Sequence, residues 1–337
     1  MLQELIDGAV QIFWSWESRL AFFYLCATVV LVYAIWLWRQ KPTSFLRFLL
    51  PKEVYFHRSN LVDIKVFLFN LFIGSFGALS AVLFTPLVTA TVLAVLITYS
   101  GTGFQPLDVT WGRSAVATML IILAMDFSKY WAHYIHHEWR ILWPFHSLHH
   151  SAEVLTPLSA YRNHPVFILI RNVIFSLIIG AVQGVILFLL LGEIDILTIG
   201  GANAGYFLFN VIGSNLRHSH VWLSYGRTLE HIFISPAQHQ IHHSCDVKHH
   251  NKNYGEVFAF WDWMFGTLYI PDSHEKLTFG IADKDGNRIE QPHPTLRAAL
   301  LQPFAEAYRE AVDMARGPER ETETEPTVAD PSDQVAR

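Results

Sequence analysis

Apolar residues in this chain do not alternate with polar ones; they run in blocks about as long as a membrane is thick. Residues 20–38 are apolar almost throughout, and at 1.5 Å per residue such a helix reaches about 28 Å, close to the hydrocarbon core of a bilayer. This block predicts a first transmembrane helix. Its length, with no A-x-A-like site behind it, argues against a cleaved signal peptide. Residues 66–99 are apolar for longer than one straight span needs and are interrupted by Gly74, Gly77 and Pro86. That fits either two short helices or one tilted span followed by a half-helix. Residues 115–135 predict the next span, and residues 166–191 and 196–212 a hairpin of two more, turning at Gly192-Glu-Ile-Asp195. Beyond Gly213 no apolar run is long enough to cross.

The pattern predicts an all-α polytopic membrane protein with about four to six transmembrane helices, its polar segments forming a helical cap at one face. Four regions are expected: a transmembrane region over 1–114, a catalytic domain over 115–275 containing the hairpin 166–212, an extension over 276–316, and a tail over 317–337. Composition agrees, with 52% hydrophobic and 16% charged residues in 337 and a mean hydropathy of +0.27. Arg39, Lys41, Arg47, Lys52, Arg58 and Lys65 crowd the segment after the first span, and short loops rich in Lys and Arg stay in the cytosol. The net charge of −5 owes part of its value to the acidic tail, which has nothing to bury and is expected to be disordered. The two cysteines, Cys26 and Cys245, imply no disulfide framework.

Candidate chemistry rests on histidine. Eighteen occur, most of them between positions 133 and 250. Three stretches share a pattern: His133-Tyr-Ile-His136-His137, His146-Ser-Leu-His149-His150 and His239-Gln-Ile-His242-His243. Residues three and four apart share a helix face, so each stretch is read as aiming imidazoles at one point, the way a metal is held. Ser235-Pro-Ala-Gln238 is a capping-box sequence that starts a helix at the third stretch. Pro144 can open one at the second. The hairpin carries the chain into the membrane and back, so Arg217-His218-Ser-His220 and the third stretch emerge beside the second.

Asp126 lies two turns before His133. It either accepts the second ring N–H of a ligand histidine or pairs with Lys129 or Tyr130 at the membrane edge. His164 precedes a span and is a candidate to support a ligand histidine without itself binding metal. His249 and His250, in the polar run 246–253, are expected in solvent; His57, His231, His274 and His293 are read as ordinary surface or core residues.

The clusters contain no thiolate, which excludes iron–sulfur and cysteine-rich zinc sites. His137-Glu138 is followed by Ile141 where a zinc hydrolase would need its second histidine. Eight or nine histidines exceed what one ion takes and suit two, and redox-active iron fits neutral imidazole ligands.

The order Asp126-Phe-x-x-Tyr-Trp-x-His133-x3-His137, His146-x2-His149-His150, His218 and His239-x2-His242-His243 resembles the fatty acid hydroxylase/sterol desaturase superfamily. Ser151-Ala-Glu153, Arg162-Asn-His164-Pro165, Asn253-Tyr-Gly255, Trp261-Asp262 and Phe265-Gly-Thr267 add to the likeness, which covers about residues 126–269. The resemblance implies two iron ions at the cytosolic membrane face, O2 as co-substrate, and hydroxylation or desaturation of a fatty acyl, sterol or related lipid. It carries the ligand role onto His133, His137, His146, His149, His150, His218, His239, His242 and His243, with His220 an alternative or addition to His218. Tyr134 stands where the family usually has arginine, and His136 is an extra histidine facing away from its neighbours. No His-Pro-Gly-Gly stretch of a fused cytochrome b5 domain occurs, so a separate ferredoxin, cytochrome or reductase is expected to supply electrons. The rival reading is a membrane metal transporter or metal-binding protein whose histidines form a path; transport would place more ionisable groups inside the spans.

Overall fold

The apolar blocks are helical, the form in which a chain in lipid satisfies its own backbone hydrogen bonds. The computed structural model describes residues 10, 12–15, 18–101, 107–190, 196–283 and 286–316. In chain order the helices are α1 (Phe22–Trp38), the short α2 (Phe45–Leu49) and α3 (Lys52–Tyr55), α4 (Ser59–Ser75), α5 (Thr85–Ser100), α6 (Trp111–Glu138), α7 (Trp143–His150), α8 (Pro165–Leu189), α9 (Ile196–Val211), α10 (Pro236–His242), α11 (Phe260–Phe265) and α12 (Leu296–Arg316). Among the described residues β-structure is limited to isolated bridges, such as Phe233 to Phe258.

Two helices, α6 and α8, are long and apolar enough to cross a membrane; α1 and α5 are shorter apolar helices. The block at 66–99 resolves into two helices, α4 and α5, of 17 and 16 residues. The break falls at Gly77, whose φ of 71° lies in the left-handed region open to glycine. The turn at 192–195 and the tail over 317–337 lie outside the described residues.

Helix α5 lies close against α8 because two glycines one turn apart, Gly180 and Gly184, remove the side chains that would hold them off. A Cβ on Gly180 would come within 2.6 Å of Val88 Cβ, and one on Gly184 within 2.8 Å of Val92 Cβ. This is the small-xxx-small packing of membrane helices. Ser176 Oγ accepts from Phe84 N at 3.1 Å across the same interface. On the other side of α8, Ile186 joins Ala117 and Ile121 of α6 and Ala202 of α9 in one apolar cluster.

At 28 residues α6 is about 42 Å long, so it outruns a hydrocarbon core of about 30 Å. Its last turns, with His133 and His137, lie beside α7 and α10. A second layer covers them. Leu148 of α7 packs with Val62 and Val66 of α4 and Ala299 of α12. Fully buried Arg162 ties these pieces together, donating to Asp63 Oδ1 at 3.0 Å, to the Leu148 carbonyl at 2.9 Å and to Ser151 Oγ at 2.9 Å. An unpaired charge there would be costly; the Arg162–Asp63 pair fixes α4 against the end of α7.

Candidate metal centre

Local signals put each histidine in place. The Ser235 capping box forms as its sequence predicts, with Ser235 Oγ accepting from Gln238 N at 3.1 Å and Gln238 Oε1 accepting from Ser235 N at 3.0 Å. It starts α10 so that His239, His242 and His243 follow. Pro144 lies in the first turn of α7, ahead of His146, His149 and His150. A 3-10 turn over Ser214–His218 delivers His218 next to α10.

Nine histidines gather into two groups. His133, His137, His146, His150 and His242 form one, and His149, His218, His239 and His243 the other; within each, the candidate ligand atoms all lie within 4.8 Å of one another. The second and third histidine boxes are thus divided, contrary to the expectation that each aims at one point, while His133 and His137 of the first stay together. His146 and His150 serve the first group while His149 serves the second; in the third box His239 and His243 serve the second group while His242 serves the first. At about 100° per residue, position i+4 falls about 40° past position i and position i+3 about 60° short of it, so the last two histidines of each box diverge by about 100°. The groups adjoin, with the His150 and His243 rings stacked at 4.5 Å between centroids.

The nitrogens fit a metal. His137 Nε2 lies 3.1 Å from His150 Nε2, His150 Nε2 lies 3.2 Å from His146 Nε2, and His218 Nε2 lies 3.0 Å from His239 Nε2. Two imidazole nitrogens bound at right angles to one ion at 2.0–2.1 Å would stand about 3 Å apart. His133 Nε2, His242 Nε2 and both nitrogens of His243 are buried with no hydrogen-bond partner, an arrangement that costs about 1–3 kcal/mol per group unless something accepts their lone pairs. Burial and the neighbouring imidazoles hold His146, His150, His218, His239, His242 and His243 well below the ordinary histidine value, and His149 falls to about 3. Neutral rings are the form a cation binds. Both groups are built of histidine alone.

Backbone carbonyls orient the rings. His133 donates its Nδ1–H to the Tyr254 carbonyl at 2.8 Å and His242 its Nδ1–H to the Lys252 carbonyl at 2.7 Å, leaving Nε2 of each for a metal. His218 Nδ1 lies 2.9 Å from Ser159 Oγ. The loop that supplies the carbonyls is pinned by two buried carboxylates. Asp126 accepts from Val257 N and Phe258 N at 2.9 Å and from Trp261 Nε1 at 3.1 Å. Asp262 accepts from Tyr254 N at 2.7 Å, Gly255 N at 2.9 Å and Thr267 Oγ1 at 2.6 Å. Gly255 has no room for a side chain, since a Cβ would meet the Phe258 carbonyl at 2.6 Å.

Several expectations are corrected here. Asp126 touches neither a ligand ring nor a Lys129 or Tyr130 partner; Lys129 turns to Tyr206 and Glu256 and Tyr130 to Thr267, because the loop N–H groups occupy the carboxylate. His164 is the N-cap of α8, accepting from Val166 N at 3.1 Å and contacting Phe145 and Phe304 rather than a ligand. His220 is outside both groups, its ring donating to the Phe48 carbonyl at 2.7 Å. His249 is buried, with Nε2 3.2 Å from Glu275 and its ring against Tyr269, because residues from Asp272 onward fold over it. His136 faces away from His133 and His137 as expected, its Nδ1–H donated to the Ala132 carbonyl and its ring on Phe167. The orienting residues Ser159, Tyr254 and Asp262 had no assigned role in the sequence, although Asn253-Tyr-Gly255 and Trp261-Asp262 stood out as motifs.

Comparison with known proteins agrees with this arrangement. Residues 118–267 match the family model described as Fatty acid hydroxylase, a stretch that holds all nine gathered histidines. The chain is 30% identical over 228 residues to an ornithine lipid hydroxylase, OlsE, of Rhizobium tropici, covering 67% of this chain and 61% of that protein. It is 28% identical over 188 residues to the alkylglycerol monooxygenase of Danio rerio, covering 56% of this chain and 38% of that one. It is 29% identical over 193 residues to a Delta(7)-sterol 5(6)-desaturase of Gibberella zeae, covering 54% and 53%. The chain thus spans less than two thirds of the length of each of these relatives. No solved structure matches it. With the family match lying over the histidine nest itself, the stretch 118–267 belongs to the fatty acid hydroxylase/sterol desaturase superfamily.

Proposed function

We propose that this protein is an O2-dependent membrane oxidoreductase that uses two iron ions to hydroxylate or desaturate a lipid. The observation that carries the reading is the division of nine histidines, seven of them buried, into two adjoining groups, which suits two ions with positions left for oxygen. The proposed ligands are those nine. His220 is left out because its ring is engaged by Phe48. The histidines gather in two adjoining groups at the end of α6 rather than along it, which favours catalysis over metal transport.

Bound iron would supply the activation of O2 that lets an unreactive C–H bond be oxidised. The chain's own residues do the rest. His133 and His242, held by the carbonyls of Tyr254 and Lys252, present Nε2 in a fixed direction. Asp126 and Asp262 keep that loop from moving. In hydroxylation one oxygen atom enters the lipid and the other leaves as water, with two electrons and two protons from a donor; in desaturation both leave as water and the lipid loses two hydrogens. We assign electron supply to a separate ferredoxin, cytochrome or reductase and the nest to the cytosolic face, on the Lys- and Arg-rich segment after α1. Residues 115–275 are the proposed catalytic domain, between an N-terminal membrane region and an extension over 276–316.

Comparing lipids from cells with and without the protein tests this reading. A lipid that gains one oxygen or loses two hydrogens only when intact protein, iron and O2 are all present supports it. An unchanged lipid profile with iron-loaded protein contradicts it.

A further inference from the structure

Beside the nest, inside the helix bundle, Arg19 and Lys129 pair with the carboxylate of Glu256, and two further cations, Arg217 and Arg171, lie nearby. Arg19 Nη2 lies 2.6 Å from Glu256 Oε1 and Lys129 Nζ 3.4 Å from Glu256 Oε2. Arg217 donates to the Glu256 backbone carbonyl, and Arg171 is near enough to interact with Glu256, Tyr206 and Arg19. Burial alone would push the Glu256 carboxyl up, yet Lys129, Arg19, Arg217 and Arg171 hold it well below the usual carboxylate range. The other nearby acid is Asp126, already taken by three N–H donors. Positive charge is in excess even with both acids ionised.

Two of the cations have capacity to spare. Arg217 is 1% exposed, and its Nη1 is buried with no partner. Arg171 makes no hydrogen bond or ion pair among the described residues and only lies over Phe167, 5.9 Å from the ring centroid. Excess charge taken out of water is expensive and marks function. The group is not sealed, since the side chains of Arg19, Lys129 and Glu256 keep 18%, 21% and 24% of their exposure. A small cavity of about 30 Å³ between α6 and α9 also reaches Lys129 and Tyr206 past Ile122, Met125 and Gly205.

The cations border the ligands. Arg217 precedes His218, Lys129 lies one turn deeper in α6 than His133, and Arg171 lies one turn deeper in α8 than Phe167, whose ring stacks on His146 at 4.6 Å. We propose that Arg19, Lys129, Arg171 and Arg217 form a cradle for the anionic group of the lipid substrate, a carboxylate or a phosphate. The proposal rests on the reading that the nest oxidises a lipid.

The test uses full-length, iron-loaded protein in phosphatidylcholine nanodiscs under nitrogen, so that no turnover contributes. Binding of laurate, dodecyl phosphate and dodecanol is measured against empty discs. At least one anionic ligand is expected to bind about tenfold more tightly than dodecanol, and the two anionic arms tell carboxylate from phosphate. Arg171→Gln should abolish that preference while bound iron stays unchanged. Equal binding of all three ligands, or full preference in Arg171→Gln, overturns the proposal. Should Arg171→Gln fail to fold, Lys129→Met is read in its place with the same criteria. Lipid oxidation without anionic preference refutes the cradle and leaves the oxidation reading standing; preference without any product does the reverse.

Discussion

The His133 ring donates its Nδ1–H to the backbone carbonyl of Tyr254 at 2.8 Å, so a ligand on the long helix α6 is aimed by a loop more than a hundred residues later. That loop is held from both sides by carboxylates, Asp126 from α6 itself and Asp262 from α11. Ligand helix and orienting loop therefore form one closed circuit of hydrogen bonds, and disturbing any part of it should be felt at the metal.

Asp126→Asn tests the circuit. An amide keeps one acceptor oxygen but turns an NH2 toward a backbone N–H, so the loop loses a charge-assisted anchor. Metal affinity should fall roughly 10–100-fold with the nine histidines intact, read as iron retained after dialysis against a graded chelator. Wild-type retention would show that the loop does not orient His133.

His218 and His220 are separated by a pair of substitutions. His218→Ala should lower bound iron, since its Nε2 stands 3.0 Å from His239 Nε2. His220→Ala should leave iron content unchanged and cost only the hydrogen bond to Phe48, about 1 kcal/mol of stability. Iron loss in His220→Ala would contradict the assignment.

Gly184→Leu is expected to force α5 away from α8, because even a Cβ there would stand 2.8 Å from Val92 Cβ. Overpacking of this kind costs about 1–3 kcal/mol, visible as earlier thermal unfolding in detergent. An unchanged unfolding temperature would mean that the two helices do not meet at this glycine.

Arg162→Met should destabilise by about 3–5 kcal/mol, since it leaves the fully buried Asp63 without its partner. Adding Asp63→Leu should recover most of that loss. Failure of the double variant to recover would shift the weight onto the other Arg162 contacts, to Leu148 and Ser151.

The nine histidines that gather into two groups were legible because histidine spacing is a local signal, and the Ser235 capping box and Pro144 set helix starts from neighbouring residues alone. The division of the second and third boxes between two groups follows from helix geometry but needs the partner helix to be seen. Tyr254 and Lys252 act through backbone carbonyls, which every residue has, so no side-chain pattern could mark them. Asp126 was recognised as a costly buried acid, yet its partners are backbone N–H groups of Val257 and Phe258, invisible at that distance in sequence. His220 sits two residues from a ligand and only the course of the chain after the 3-10 turn takes it to Phe48. His249 is buried by a later segment whose folding its polar neighbours do not announce.

The most direct measurement is the iron-to-chain ratio of full-length protein reconstituted under nitrogen and freed of loosely held metal. Two buried histidine groups should give about two irons per chain, falling in His242→Ala and in His239→Ala, one substitution for each group. A ratio of about one, or a ratio indifferent to both substitutions, would contradict a two-metal centre.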